Sequence, residues 1–148
     1  MTLAQSGAQA RFDDRVAVVT GAGRGLGREY ALLLAKLGAR VVVNDPGGGL
    51  TGDGDDAGPA QQVVDEITAA GGDAIVSTES VATATGGQAI IGAATRHYGR
   101  IDVLIHNAGN VRPAPLTDMT AEDFDAVLDV HLRGAFHVAR AEIGRAHV

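Results

Sequence analysis

Residues Val16–Gly27 read VAVVTGAGRGLG. VAVVT is a β-type run with apolar residues at both alternating positions, the pattern of a strand buried on both faces. Helical spacing begins directly behind it, in Leu26–Leu37 (LGREYALLLAKL), and stops at Gly38, a C′ glycine. Between the two lies a glycine turn. Glycine there permits positive φ and lets backbone approach a ligand closely. The helix start behind the turn offers unpaired N–H groups and partial positive charge, which suit an anion such as pyrophosphate. The spacing is T-G-x-x-x-G-x-G, on Thr20, Gly21, Gly25 and Gly27. The shorter G-x-G-x-x-G reading fails, because its sixth position is Leu26.

Outward from this turn the same alternation recurs. β-type runs follow at Val41–Asn44 (VVVN), Ala74–Ser77 (AIVS) and Val103–His106 (VLIH). Helical segments separate them: Pro59–Ala70 starts at proline and ends before Gly71-Gly72, and Thr83–Tyr98 ends at Gly99. The last, Thr120–Arg140, opens with Thr120 and Asp123, a capping pair with Asp in place of Glu. This order, βαβαβαβα, predicts an α/β fold with a parallel sheet and helices on both faces. Asp45 closes the second strand, where a carboxylate can accept hydrogen bonds from both adenosine ribose hydroxyls. A glycine turn alone could merely pack helix on strand, and Asp45 alone could be a solvated acid. Strand, turn, helix, strand and terminal acid together point to a dinucleotide site.

Composition narrows the classes. The chain has 148 residues, 45% hydrophobic and 20% charged, enough to bury one core. No run of eighteen apolar residues is present, and MTLAQSGAQA has neither the basic start nor the apolar stretch of a signal peptide. It reads as a flexible tail. With no Cys there is no disulfide or thiolate chemistry, and the expected location is cytoplasmic. A net charge of −6 without a basic cluster gives no reason to expect a nucleic acid or membrane partner. Aromatics are 3%, too few for stacking platforms. PGGGLTGDGDDAG, Pro46–Gly58, reads as a flexible acidic loop. Its Asp53, Asp55 and Asp56 lack the bidentate Glu that a calcium loop needs. His97, His131 and His137 form no metal-spaced set, so no metal site is expected.

TGAGRGLG, Asp45 and HNAG at His106–Gly109 together resemble the short-chain dehydrogenase/reductase family, over Arg11–Ala141. Within it, VVVNDPGGGLTGDG, VVDEI, GGDA and VHLRGAF look most like the (3R)-hydroxyacyl-CoA dehydrogenase part of peroxisomal multifunctional enzymes and their bacterial relatives. The resemblance implies a Rossmann-type doubly wound parallel sheet, here truncated after the fourth strand and its following helix. It implies that Gly21, Gly25, Leu26 and Gly27 line a pyrophosphate and that Arg24 lies on the adenosine side. Asp45 would select NAD; Arg24 pulls toward NADP, the weaker alternative. Glu79, Ser80 and Val81 match the adenine-contacting stretch, and Asn107, Ala108 and Gly109 the stretch beside the nicotinamide ribose. His106 replaces the first of two family Asn residues and is expected to be a satisfied structural group. His131 stands where the family has the catalytic Asn of N-x-x-G. It shares a helical face with Phe124, Val127 and Ala135. It is therefore either core-facing or the holder of a proton-relay water.

The family's chemistry also uses Ser, Tyr and Lys, the last two as Y-x-x-x-K. Tyr30 is followed at the fourth place by Leu34 and Tyr98 by Asp102, so neither fits. Residues 11–141 thus read as the N-terminal part of one NAD(P)-binding domain. The parent would transfer hydride between a secondary alcohol or ketone, such as a 3-hydroxyacyl thioester, and nicotinamide. It would take a small-molecule substrate and form a homodimer or homotetramer, while the chain as given would be inactive. A non-catalytic dinucleotide-binding regulatory module is the alternative. EIGRAHV, Glu142–Val148, matches the translated start of a sequencing adapter and is set aside.

Overall fold

The computed structural model describes residues 10–48 and 58–144. The tail before residue 10, the centre of the acidic loop with Asp53, Asp55 and Asp56, and residues 145–148 lie outside that range. The elements alternate: β1 Val16–Thr20, α1 Gly25–Lys36, β2 Arg40–Asn44, α2 Gly58–Ala69, β3 Asp73–Ser77, α3 Ala84–Tyr98 and β4 Val103–His106. Then come α4 Ala121–Leu128, a π turn Asp129–Arg133 and α5 Gly134–Ile143. All strands are parallel, in the order β3-β2-β1-β4. The parallel sheet with helices on both faces that the alternation predicts, doubly wound as the resemblance implies, is what forms.

Two cores sit on the two sheet faces because successive strand residues point to opposite sides. Ala17, Val19, Val41 and Val43 pack with Ala31 and Leu34 of α1 and with Val63 and Ile67 of α2. Val16, Val18 and Val42 pack with Ile90 and Ala94 of α3 and Val138 of α5. Every β1 residue is buried, while β4, at the sheet edge, is half-buried throughout. Gly87 lets α3 approach α5 closely, since a Cβ there would come within 2.9 Å of the His137 backbone. Opposite the strands' carboxyl ends, Asp102 accepts the Val16 N–H at 2.9 Å and pairs with Arg15 and Arg100. This fixes where β1 and β4 begin.

The last helical segment departs from expectation. Thr120 does cap it, accepting the Asp123 N–H at 3.1 Å, while Asp123 takes the Thr120 hydroxyl proton at 3.0 Å. The helix is not continuous, however. The π turn widens the coil at Asp129–Arg133 and shifts the angular phase of everything after it. Phe124 and Val127 belong to α4, which buries none of its residues, and the π turn takes His131 and Ala135 out of their helical spacing, so the four do not share one buried face. Phe124 is 55% exposed, His131 is exposed, and Val127 and Ala135 are half-buried. The core-facing alternative for His131 is thereby excluded.

Candidate functional site

Parallel register sets Ser77, Asn44, Thr20 and His106 side by side at the carboxyl ends of β3, β2, β1 and β4. Ser77, Asn44 and Thr20 are buried, and such polar groups must find partners. Asn44 donates from Nδ2 to the Ser77 carbonyl at 3.1 Å and the Glu79 carbonyl at 2.9 Å. Its Oδ1 has no partner among the described residues. Thr20 Oγ accepts the Asn107 and Ala108 N–H groups, each at 3.1 Å. Asn107 Nδ2 donates across to the Gly21 carbonyl at 3.0 Å, bridging the ends of β1 and β4. The polar row thus ties the loops beyond the strands into one rigid edge.

The glycine turn uses its glycines as backbone chemistry demands. Gly21 and Gly25 have φ of +62° and +55°, where other residues are strained. A Cβ on Gly21 would lie 2.7 Å from the Ala108 backbone, whereas one on Gly25 would meet none of the described residues within 4 Å. Gly27 packs helix on turn, with a Cβ position 2.1 Å from the Gly21 carbonyl oxygen. Among the described residues the start of α1 has no side-chain cap, unlike α3, capped by Thr83, and α4, capped by Thr120. Its first N–H groups are therefore available to an external acceptor.

Asp45 sits at the end of β2 with both carboxylate oxygens engaged. Oδ2 accepts the Gly23 N–H at 2.9 Å and Oδ1 the Gly47 N–H at 2.8 Å. Each oxygen keeps further lone-pair capacity for an incoming hydroxyl. Arg24 reaches the same loop and donates to the Gly48 carbonyl at 3.1 Å. A cleft of about 560 Å³ opens between these groups. Its wall runs from Arg24, Gly25 and Asp45, past Ser80, Val81 and Ala82, to Asn107–Asn110 and on to Ala126, Asp129 and Val130.

Most of the expected binding residues meet at this cleft. Gly21, Arg24, Gly25, Asp45, Ser80, Val81, Asn107, Ala108 and Gly109 line it. Gly27 stands behind the wall, and Leu26, 66% exposed, is outside the lining. Glu79 does not line it either; its part is the carbonyl that receives Asn44. Asn44, Asn110 and Arg112 were not picked out from sequence. Asn110 is buried, donates from Nδ2 to the Ala126 carbonyl at 3.1 Å, and has an Oδ1 without a partner among the described residues. Its position directly after Gly109 was the available signal.

His131 leans over Gly109, where a Cβ would meet its ring at 2.7 Å. Its Nε2 lies 3.1 Å from the Asn110 nitrogen and 2.9 Å from the Asn110 carbonyl oxygen. His106 is half-buried, and among the described residues only one nitrogen is satisfied: Nδ1 meets Thr20 Oγ at 3.2 Å, while Nε2 has no partner in good geometry. It is therefore not the fully satisfied group expected. Burial holds its pKa below the ordinary imidazole value, against backbone groups of Val130 and His131 that favour the charged form. Tyr98 is at the far end of the sheet, donating to Asp73 at 2.9 Å; burial and that carboxylate raise its pKa. It cannot serve this cleft as an acid.

The short chain dehydrogenase family model matches residues 15–144. A peroxisomal multifunctional enzyme type 2 of Drosophila melanogaster is 48% identical over 139 residues, which is 94% of this chain and 23% of that protein. A crystal structure of a short chain dehydrogenase from Mycobacterium avium superposes with TM-score 0.84 at 47% identity, covering 91% of this chain and 47% of the other. A metagenomic short-chain oxidoreductase in complex with NADP gives TM-score 0.80 at 33% identity, over 91% of this chain and 57% of the other. The chain thus spans a minor part of its curated relative and about half of the solved chains. The expected cytoplasmic location is overturned, because the relatives from Drosophila, Saccharomyces, Neurospora and Dictyostelium are named as peroxisomal enzymes. Absence of cysteine reports on redox environment and carries no address, which is why that inference failed.

Proposed function

This chain belongs to the short-chain dehydrogenase family, and on that premise we propose that it is the dinucleotide-binding part of a longer NAD-dependent oxidoreductase. The cleft at the carboxyl edge of β1, β2 and β4 carries this reading. Its features fit a nicotinamide dinucleotide: a helix start behind a glycine turn without a side-chain cap among the described residues, an acid at the end of β2, and the buried asparagines Asn44 and Asn110 in the lining.

The residues would act as follows. The Gly21–Gly27 turn and the first N–H groups of α1 would hold the pyrophosphate. Asp45, already fixed by Gly23 and Gly47, would accept the adenosine ribose hydroxyls and repel a 2′-phosphate. Arg24 would contribute on that same side, and Ser80 and Val81 would flank the adenine. Asn107, Ala108 and Gly109 would shape the wall beside the nicotinamide ribose. Bound there, a nicotinamide supplies the hydride acceptor or donor for alcohol–ketone interconversion. His131, with Nε2 engaged at Asn110, would hold a relay water on its other nitrogen. No tyrosine of this chain stands in Y-x-x-x-K, so the proton donor must come from elsewhere in the parent and this chain alone is inactive. The resemblance of VHLRGAF and the loop after β2 to hydroxyacyl-CoA dehydrogenases favours a 3-hydroxyacyl thioester as the small-molecule substrate. Exposed Phe124, Leu132 and Phe136 support a homodimer or homotetramer of the parent. Family membership disfavours the regulatory-module alternative.

The test is to read the source gene past the codon for Ala141, express the whole product, and assay NAD-linked oxidation of 3-hydroxyacyl thioesters. Ser followed by Y-x-x-x-K, with turnover, is the expected result. A product lacking that set, or one that binds dinucleotide without turnover on alcohols or ketones, would sink the proposal.

A further inference from the structure

The hydroxyl of Thr20 has a closed proton inventory. Thr20 is fully buried. A threonine oxygen offers two lone pairs and one hydrogen. The Asn107 N–H and the Ala108 N–H, each at 3.1 Å, take the two lone pairs. Among the described residues the hydrogen then has one destination in reach, His106 Nδ1 at 3.2 Å. Nδ1 must accept, so the ring proton of a neutral imidazole resides on Nε2.

With Nδ1 on Thr20, Nε2 is the buried nitrogen left toward the backbone of Val130 and His131, and it has no hydrogen-bond partner in good geometry among the described residues. Those residues lie in the π turn, where the regular i to i−4 ladder is broken. The turn also carries His131, whose Nε2 meets Asn110 at the cleft wall. We propose that His106 is a positioning residue, locked as the Nε2-protonated tautomer, that couples the Thr20-bound end of β4 to the π turn holding His131. Charging the ring would put an N–H against a hydroxyl whose lone pairs are already used. Thr20 would then have to release the Asn107 or Ala108 amide, and the wall beside Gly109 would loosen. The low pKa that burial imposes on His106 agrees with this inventory.

The lock is distinct from simple filling of space, because the Thr20 hydroxyl requires Nδ1 as an acceptor and leaves the ring proton on Nε2. An Asn at this position reaches only the Nδ1 place and keeps the Thr20 contact. A Gln extends to the Nε2 place and can donate toward the π turn. The bearing of this coupling on catalysis rests on the dinucleotide reading above; the tautomer does not, so the two fail separately.

The experiment uses the 148-residue chain without ligand, with ¹⁵N-labelled histidine, and long-range proton–nitrogen correlation at neutral pH. His106→Asn, through the cross-peaks it removes, assigns the His106 pattern. The expected pattern is a proton-bearing Nε2 and a bare Nδ1. The Asn variant should also move the His131 ring and Asn110 amide resonances, and His106→Gln should return them toward the wild-type positions. A charged His106, a proton on Nδ1, or Asn and Gln variants with the same effect at His131 and Asn110 would overturn the proposal. Should both variants fail to fold, the wild-type tautomer, assigned by labelling against the His97, His131, His137 and His147 variants, still decides it.

Discussion

Gly27→Ala is the sharpest probe of how the glycine turn is built. Gly27 is buried in the first turn of α1. An added Cβ would sit 2.1 Å from the Gly21 carbonyl oxygen and 2.5 Å from Asn107 Nδ2. The first neighbour is backbone, and the second is the side chain that bridges β1 and β4. Alanine in a helix gains about 1 kcal/mol over glycine. Against this stand about 1–3 kcal/mol for forcing extra volume into a packed site and about 1 kcal/mol for the strained or broken Asn107–Gly21 bond. The net expectation is a destabilisation of about 1–3 kcal/mol, read by urea unfolding followed by far-UV circular dichroism. Gly25→Ala is the control: its Cβ would meet none of the described residues within 4 Å, and its φ of +55° is what is strained, at about 1–2 kcal/mol. The two variants separate at the Asn107 side-chain amide resonance, which should shift in Gly27→Ala and stay put in Gly25→Ala. A Gly27→Ala protein as stable as the wild type, with that resonance unmoved, would refute the close approach of helix and turn.

NADH should bind better than NADPH, and Asp45→Ala should weaken NADH on the order of tenfold, about one charge-assisted hydrogen bond. Titration of both cofactors checks this; tighter NADPH would put Arg24 in control. Asp102 has its pKa lowered from 3.8 to about 2, first by its hydrogen bond to Arg100 and then by the Val16 amide and Arg15. A depressed folded pKa means stability fully present above pH 3.8 and lost as pH falls through about 2. Asp102→Asn should therefore cost on the order of 2 kcal/mol at neutral pH and flatten acid unfolding in that window; an unchanged acid limb contradicts the assignment. The chain by itself should form no NADH from simple alcohols or 3-hydroxyacyl thioesters, as followed by absorbance. Turnover that tracks the protein and dies in Gly25→Val would show that the proton donor lies within these residues.

The fold was legible because its signals are local. VAVVT and VLIH form strands over the residues read from sequence, and β2 and β3 merely begin one residue earlier. Buried parallel strands leave no other reading for such runs once helical spacing lies between them. The glycine turn and Asp45 were legible for the same reason, since φ near +60° and a strand-end acid are visible one residue at a time. The π turn was not. One extra residue in a helical coil alters no residue type, yet it turns the following face by about 100°. The expectation that His131 shares a face with Phe124, Val127 and Ala135 failed twice over: the π turn breaks the spacing at His131, and α4 before it buries none of its residues. Asn44 and Asn110 escaped because an asparagine becomes a cleft residue only through its neighbours. Parallel register sets Asn44 between Thr20 and Ser77, and the Ala126 carbonyl holds Asn110.

The central claim is that the carboxyl edge of β1, β2 and β4 is the dinucleotide site. It is tested most directly by titrating the uniformly ¹⁵N-labelled chain with NADH and following backbone amide shifts, which register even weak binding. Shifts concentrated at Gly21–Gly27, Asp45, Val81 and Ala108–Asn110 are the predicted result. Saturating shifts elsewhere, such as beside His137 and Arg140 between α3 and α5, or none at the glycine turn at any NADH concentration, would contradict it.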